Sequence, residues 1–186
     1  MHKITSFAAM LALCATARAL DLTPQYVDMD ADGLRIKLPS FQDGAKRVFI
    51  MPPAGWRIEG SSLRAFLSSD TAPGANVTFL LSPKPMLPKD EAGQKSVGAA
   101  LLALAEKDSE NVKLEAEQPD PLPINGWKTY LLRISYDIAG TRYAKSVMFV
   151  RLNDCEELQV FVSGPATQFT KATSAAMTCL RTWHKK

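Results

Sequence analysis

At 186 residues, with 22 basic against 19 acidic side chains and a formal charge of +3, the chain has the length of one domain with a substantial core. Its basic residues are dispersed apart from Lys185-Lys186 at the end, which argues against the concentrated positive stripe of a nucleic-acid binder. Only two histidines occur, His2 and His184, so histidine-based zinc or triad chemistry has little to draw on.

The first nineteen residues read as a secretory leader. Lys3 supplies a positive start, Ile4 to Leu13 form an apolar stretch, and Ala17-Arg18-Ala19 gives the small-x-small pattern of a cleavage site after Ala19. A stretch of about ten residues is half of what a bilayer span needs, about twenty. Cys14 does not match a lipoprotein site, because the bulky Leu13 stands where a small residue is expected. The division expected is therefore residues 1–19 as signal peptide, 20–32 as a flexible N-terminal segment and 33–186 as a single domain. No later segment is a membrane-span candidate, so the expected location is across the inner membrane, in the periplasm or outside the cell. Cleavage removes Lys3 and Arg18 and leaves 20 basic against 19 acidic residues, a formal charge of +1.

Leu34, Ile36 and Leu38 alternate with Arg35 and Lys37, the pattern of a half-buried strand. Asp43-Gly44 marks a turn before Val48–Met51, and Pro52-Pro53-Ala54-Gly55 interrupts regular structure ahead of Trp56. Leu63–Ser68 and Asn76–Ser82 read as further strands. Pro83, Pro85 and Pro88 punctuate a loop into a helix capped by Asp90, with Val97, Leu101 and Leu104 at helical spacing. A polar strand, Asn111–Glu117, follows, and then a second proline-rich loop with Pro119, Pro121 and Pro123.

Trp127–Ile138, Thr141–Leu152 and Cys155–Ser163 read as a three-stranded meander with two-residue turns at Ala139-Gly140 and Asn153-Asp154. Such turns fix the register. Tyr130 is expected opposite Phe149 and then Leu158, Leu132 opposite Val147 and then Val160, and Ile134 opposite Lys145 and then Val162. The other face, with Leu131, Arg133, Ser146, Met148, Val150, Gln159 and Phe161, requires cover. Phe169, Ala172, Ala176, Leu180 and Trp183 lie on one stripe of a final helix that can supply it. The chain thus reads as α+β, with about six to seven antiparallel strands.

Two cysteines survive cleavage, Cys155 and Cys179, and an exported protein favours joining such a pair as a structural disulfide. The lengths agree: nine residues of strand back from Gly164 to Cys155 span about 30 Å, and fifteen of helix forward to Cys179 about 22 Å. Closing that loop is worth about 3 kcal/mol in the chain-entropy model.

Pro53-Ala54-Gly55-Trp56 after an early strand, a mid-chain helix, then Asn125-Gly126-Trp127 opening a meander that ends in an amphipathic helix: this order resembles the PsbP-like fold family. That group includes a lumenal photosystem subunit, a nuclear Ran-binding protein and exported bacterial proteins of unknown role. The resemblance covers roughly residues 33–183. It implies an α–β–α sandwich, an antiparallel sheet with helices on both faces, in a group mostly of binding or assembly factors. It transfers no functional residue.

Other constellations are weak. Asp28-x-Asp30-x-Asp32-Gly33 matches the start of a calcium loop, but the twelfth position is Pro39 instead of a bidentate Glu, and a solvated turn is the expectation. His184 reads as a tail residue. Glu156 and Glu157 point to opposite faces of a strand and cannot flank one bond as glycosidase carboxylates do; Glu156 is expected across from Arg151. Asp154 and Asp137 lie at opposite ends of the meander. Arg133, with Ser146 opposite, is a candidate anion anchor whose plainer reading is an ion-paired arginine. Asn76-Val77-Thr78 is a glycosylation sequon. No catalytic or metal set emerges, and no cofactor is implied. The expectation is a non-enzymatic exported domain that binds a partner protein or small ligand, including service as an envelope assembly or accessory factor. The alternative is a periplasmic hydrolase or lyase built on carboxylates or an arginine. A carboxylate held well above its ordinary pKa in a polar cleft favours the alternative; an exposed apolar patch favours a protein partner.

Overall fold

The computed structural model describes residues 20–31, 33–82, 91–103, 105–121 and 124–185. The expected leader, residues 1–19 including Cys14, lies outside these, as do Asp32, Asp90, Leu104 and the prolines at 83, 85, 88 and 123.

Among the described residues, eleven strands form two antiparallel sheets. In chain order these are β1 (Leu20–Ala31), β2 (Leu34–Asp43), β3 (Lys46–Phe49), β4 (Arg57–Ser61), β5 (Arg64–Ser68), β6 (Asn76–Ser82), helix α1 (Glu91–Leu102), β7 (Glu110–Pro119), β8 (Thr129–Ile138), β9 (Thr141–Arg151), β10 (Glu157–Pro165), helix α2 (Ala166–Thr182) and β11 (His184–Lys185). One sheet has the order β1-β2-β3-β11, the other β4-β5-β6-β10-β9-β8-β7.

The segment expected to be loose is instead β1, paired with β2 along most of its length. Its cause is visible in the residues. Leu20 and Leu22 are buried in the core, and beyond them Val27 and Met29 alternate with the exposed Asp28 and Asp30, the period of a half-buried strand.

The meander follows the expected register over its first hairpin only. Ala139 and Gly140 both adopt positive φ, 47° and 77°, the tight turn that matches strand twist, and Tyr130, Leu132 and Ile134 face Phe149, Val147 and Lys145. The second connection is longer than two residues. Asn153 Oδ1 accepts the N–H groups of Cys155 (2.8 Å) and Glu156 (2.9 Å), and Glu156 O accepts from Leu152 (3.1 Å) and Asn153 (3.3 Å). Arg151 therefore pairs with Glu157, and Phe149, Val147 and Lys145 face Gln159, Phe161 and Ser163. One residue of slip turns every side chain of β10 over. Leu158, Val160 and Val162 join Met148 and Val150 on the second face, not Tyr130 and Leu132 on the first.

That second face carries α2. Phe169, Ala172, Ala176 and Leu180 are buried there with Val150, Leu158, Val160 and Val162. Tyr130, Leu132, Ile134, Tyr136, Val147 and Phe149 form a separate cluster, against which Val97 of α1 and Phe161 pack. Burying each such large apolar side chain is worth about 1.5–3 kcal/mol.

The turn from β10 into α2 rests on Gly164, whose φ is 155° and where an added Cβ would lie 2.7 Å from Ala75 Cα and 3.1 Å from Gly74 O. Backbone atoms cannot swing aside as a long side chain can. Gly164→Ala is expected to lower unfolding stability by about 2 kcal/mol or more, combining an unfavourable φ with overpacking; urea denaturation measures it.

Candidate functional site

An open concavity lies on the four-stranded sheet, where it meets β4. Its volume is about 380 Å³, and Tyr26 of β1, Lys37 and Pro39 of β2, the loop Met51–Trp56 and Ile58 of β4 line it. The loop takes its shape from Pro52-Pro53. Neither proline can donate a ladder hydrogen bond, so β3 ends at Phe49. Ile50 N–H donates to Pro39 O (3.2 Å), and Met51 N–H to Thr182 Oγ1 (2.9 Å). Trp56 N–H donates to Pro53 O (3.0 Å), closing a turn that places Gly55 at φ 80°. Trp56 packs against the main core and forms the groove's floor. The Tyr26 hydroxyl donates to Ile58 O (3.4 Å), yet Tyr26 is 58% exposed and Met51 41% exposed.

This lining is aromatic, proline-rich and thioether-bearing. Among the described residues it has no carboxylate, histidine or cysteine, and Lys37 is its one cation. Chemically it can bury apolar side chains and stack against rings. Tyr26 and Met51 escaped the reading of the sequence, Tyr26 because it fell in a segment read as loose. The Pro53–Trp56 motif was the one visible signal.

The residues singled out by sequence do not converge on this groove or on one another. Asp28 and Asp30 are exposed and pair in register with Lys37 and Arg35. Opposite charges there replace the ring of acidic oxygens that calcium needs, and among the described residues no cluster fit to hold a metal ion occurs. His184 is not a loose tail residue: it pairs with Phe49 in β11, its ring stacks on Phe49 at 5.5 Å, and Nδ1 lies 2.8 Å from Thr182 O.

Arg133 is exposed opposite Ser146, and acidic groups share its neighbourhood. The Ser135 hydroxyl donates to Glu115, and Arg142 reaches Glu115 (3.2 Å), Asp137 (3.1 Å) and Ser135 (2.6 Å). The Ser135 hydrogen bond, followed by the charges of Arg142 and Arg133, holds the Glu115 carboxyl below its ordinary range. Asn111 and then Arg142 do the same for Asp137. The charge of Arg133 thus acts on Glu115 beside the Arg142 network. Glu156 does not face Arg151 as expected; Glu157 does, because of the register slip. Both glutamates are buried, Glu156 at 5% exposure and Glu157 at 0%. Burial also raises the Tyr130 hydroxyl, which donates to Glu117.

No bridge joins Cys155 to Cys179 in this structure. Cys155 lies in the turn between β9 and β10, its N–H held by Asn153, whereas Cys179 is wholly buried under α2 among apolar side chains. Burial pushes the Cys179 thiol up to about 12, and only the thiolate reacts readily. Cys179 is therefore expected to resist iodoacetamide at pH 8 in the native protein and to be modified fully in denaturant; intact-mass spectrometry counts the adducts.

Among the described residues no helix is long and apolar enough to cross a membrane. No family model and no curated protein matches the sequence. Solved structures similar to this chain include cyanobacterial PsbP from Synechocystis, at 14% identity and a TM-score of 0.48, covering 89% of this chain and 94% of that one. They also include the Ran-binding protein Mog1p of Saccharomyces cerevisiae, at 11% identity and 0.47, over 87% and 96%. A third is LpqN of Mycobacterium tuberculosis, involved in cell envelope biogenesis, at 14% identity and 0.41, over 88% and 91%.

Proposed function

We propose that the chain is an exported, non-enzymatic binding domain of PsbP-like α–β–α architecture, and that the groove beside Tyr26 and Trp56 receives a partner protein. The occupant we assign is an extended segment of another exported protein that inserts an apolar or aromatic side chain between Tyr26 and the Pro52-Pro53 wall. One observation carries this reading: large apolar side chains, Tyr26 and Met51, stand exposed at the rim of an open concavity of about 380 Å³. Exposed apolar surface of this kind is typical of recognition sites, where aromatic and methionine anchors supply most of the affinity. Lys37 on the same rim gives the partner a place for an acidic group. The packing of α1 and α2 on different apolar clusters of the large sheet supports the sandwich architecture.

The hydrolase or lyase alternative draws no comparable support. Glu115 and Asp137 are held below the ordinary carboxylate range by hydrogen bonds and arginine, the opposite of what a general acid at neutral pH requires.

The test compares captures from the native envelope fraction by the wild-type mature domain and by Tyr26→Ala and Met51→Asp. Both positions are exposed, so the variants are expected to fold with little change in stability. A protein enriched by the wild type and lost from both variants, with at least tenfold weaker binding on purification, is the expected result. Capture that is equal for all three places any partner elsewhere and contradicts the groove reading.

A further inference from the structure

A second, much smaller concavity lies where the start of β1 meets the turn between β9 and β10. It holds about 20 Å³, and Leu20, Asp43, Trp127, Asn153, Glu156 and Trp183 contribute to its wall. That volume suits one water-sized group. Glu156 is 5% exposed; its Oε2 accepts a hydrogen bond from Asn153 Nδ2 (2.9 Å), while its Oε1 is buried and has no partner among the described residues. A carboxylate oxygen taken from water is costly without a donor, so this wall favours a donor, and above all a cation.

Leu20 is the first residue of β1, pairs in register with Asp43, and is itself buried. It is also the residue that follows the expected cleavage point after Ala19. Removing a leader there converts the Leu20 amide nitrogen into an α-ammonium group with three donors and a positive charge. The hydrolysis consumes one water: its oxygen goes to the Ala19 carboxylate and the new amine takes up a proton.

We propose that this pocket is the binding site for the α-ammonium of Leu20, with Glu156 as its counter-ion, so that processing supplies a charged donor to Glu156. The proposal rests on cleavage after Ala19 and is independent of the groove's partner. The charged groups on the pocket's wall are Asp43 on β2 and Glu156 in the turn, with Lys46 of β3 paired in register with Asp43. Two carboxylates stand on the wall, so the field there favours the protonated amine.

A folded-state amine held above its ordinary range, about 7.7–8.0, stabilises the fold in full below that range and loses the contribution as pH rises through its raised value. The experiment uses mature protein beginning at Leu20, as free amine and as Nα-acetylated form, each with Glu156 and with Glu156→Gln. At pH 6 the free amine is expected to melt about 3 °C or more above the acetylated form. That gap is expected to close at pH 10 and to shrink in Glu156→Gln. Should Glu156→Gln fail to fold, titration of the ¹⁵N-labelled Leu20 amine in the wild type decides by itself: an α-amino pKa above the ordinary range supports the site. Equal melting of amine and acetylated forms, an ordinary α-amino pKa, or a gap untouched by Glu156→Gln each overturns it. So does an intact mass of the exported protein that does not begin at Leu20.

Discussion

Trp183 stands at the junction of the two sheets and the end of α2, and the arrangement of the rest depends on its being held there. Its side chain is 4% exposed and meets Phe41 of the small sheet at 5.6 Å and Trp127 at 6.0 Å, edge to face. Such ring pairs add to the large area an indole buries. The backbone around it is equally occupied. Asn125 Nδ2 donates to Trp183 O (2.8 Å) and to Leu180 O (3.3 Å), which also accepts from the Trp183 N–H (3.3 Å). The chain then runs on into β11, which pairs with β3.

This junction explains why a groove of exposed apolar side chains can exist on the small sheet without collapsing. Met51, on its rim, is tied through its N–H to Thr182 at the end of α2. Pro39, on its floor, accepts from Ile50, which is buried in the main core. The groove's wall is thus a loop with both ends fastened to core elements, a common way of presenting a recognition surface on a rigid scaffold. The pocket at Leu20 and Glu156 shares Trp183 and Trp127 as walls, so the same junction shapes both sites.

Much of the large sheet was legible because its strands carry their own periodicity. Asn76–Ser82 and the hairpin of β8 and β9 lie where alternation and the Ala139-Gly140 turn place them. The failure at β10 has a local cause: Asn153-Asp154 looks like a two-residue turn, but the Asn153 side chain captures two backbone N–H groups and draws Cys155 and Glu156 into a longer connection. Side-chain capture of this kind competes with the ladder and leaves a weak trace in sequence. β1 was missed for another reason, since Asp28, Asp30 and Asp32 drew attention as an acidic turn and hid the alternation of Val27 and Met29. The groove was legible only as the Pro53–Trp56 motif, because its other wall comes from a strand some 30 residues away in sequence, and no local pattern reports that meeting.

The most direct test of the account is hydrogen exchange on Trp183→Ala, read peptide by peptide. If the end of α2 fastens the small sheet to the large one, amides of residues 20–50 are expected to lose much of their protection. Those of the β8–β9–β10 meander, held by their own ladder and by α2 upstream, are expected to keep most of theirs. Unchanged protection over residues 20–50, or an equal loss across both sheets, would contradict it.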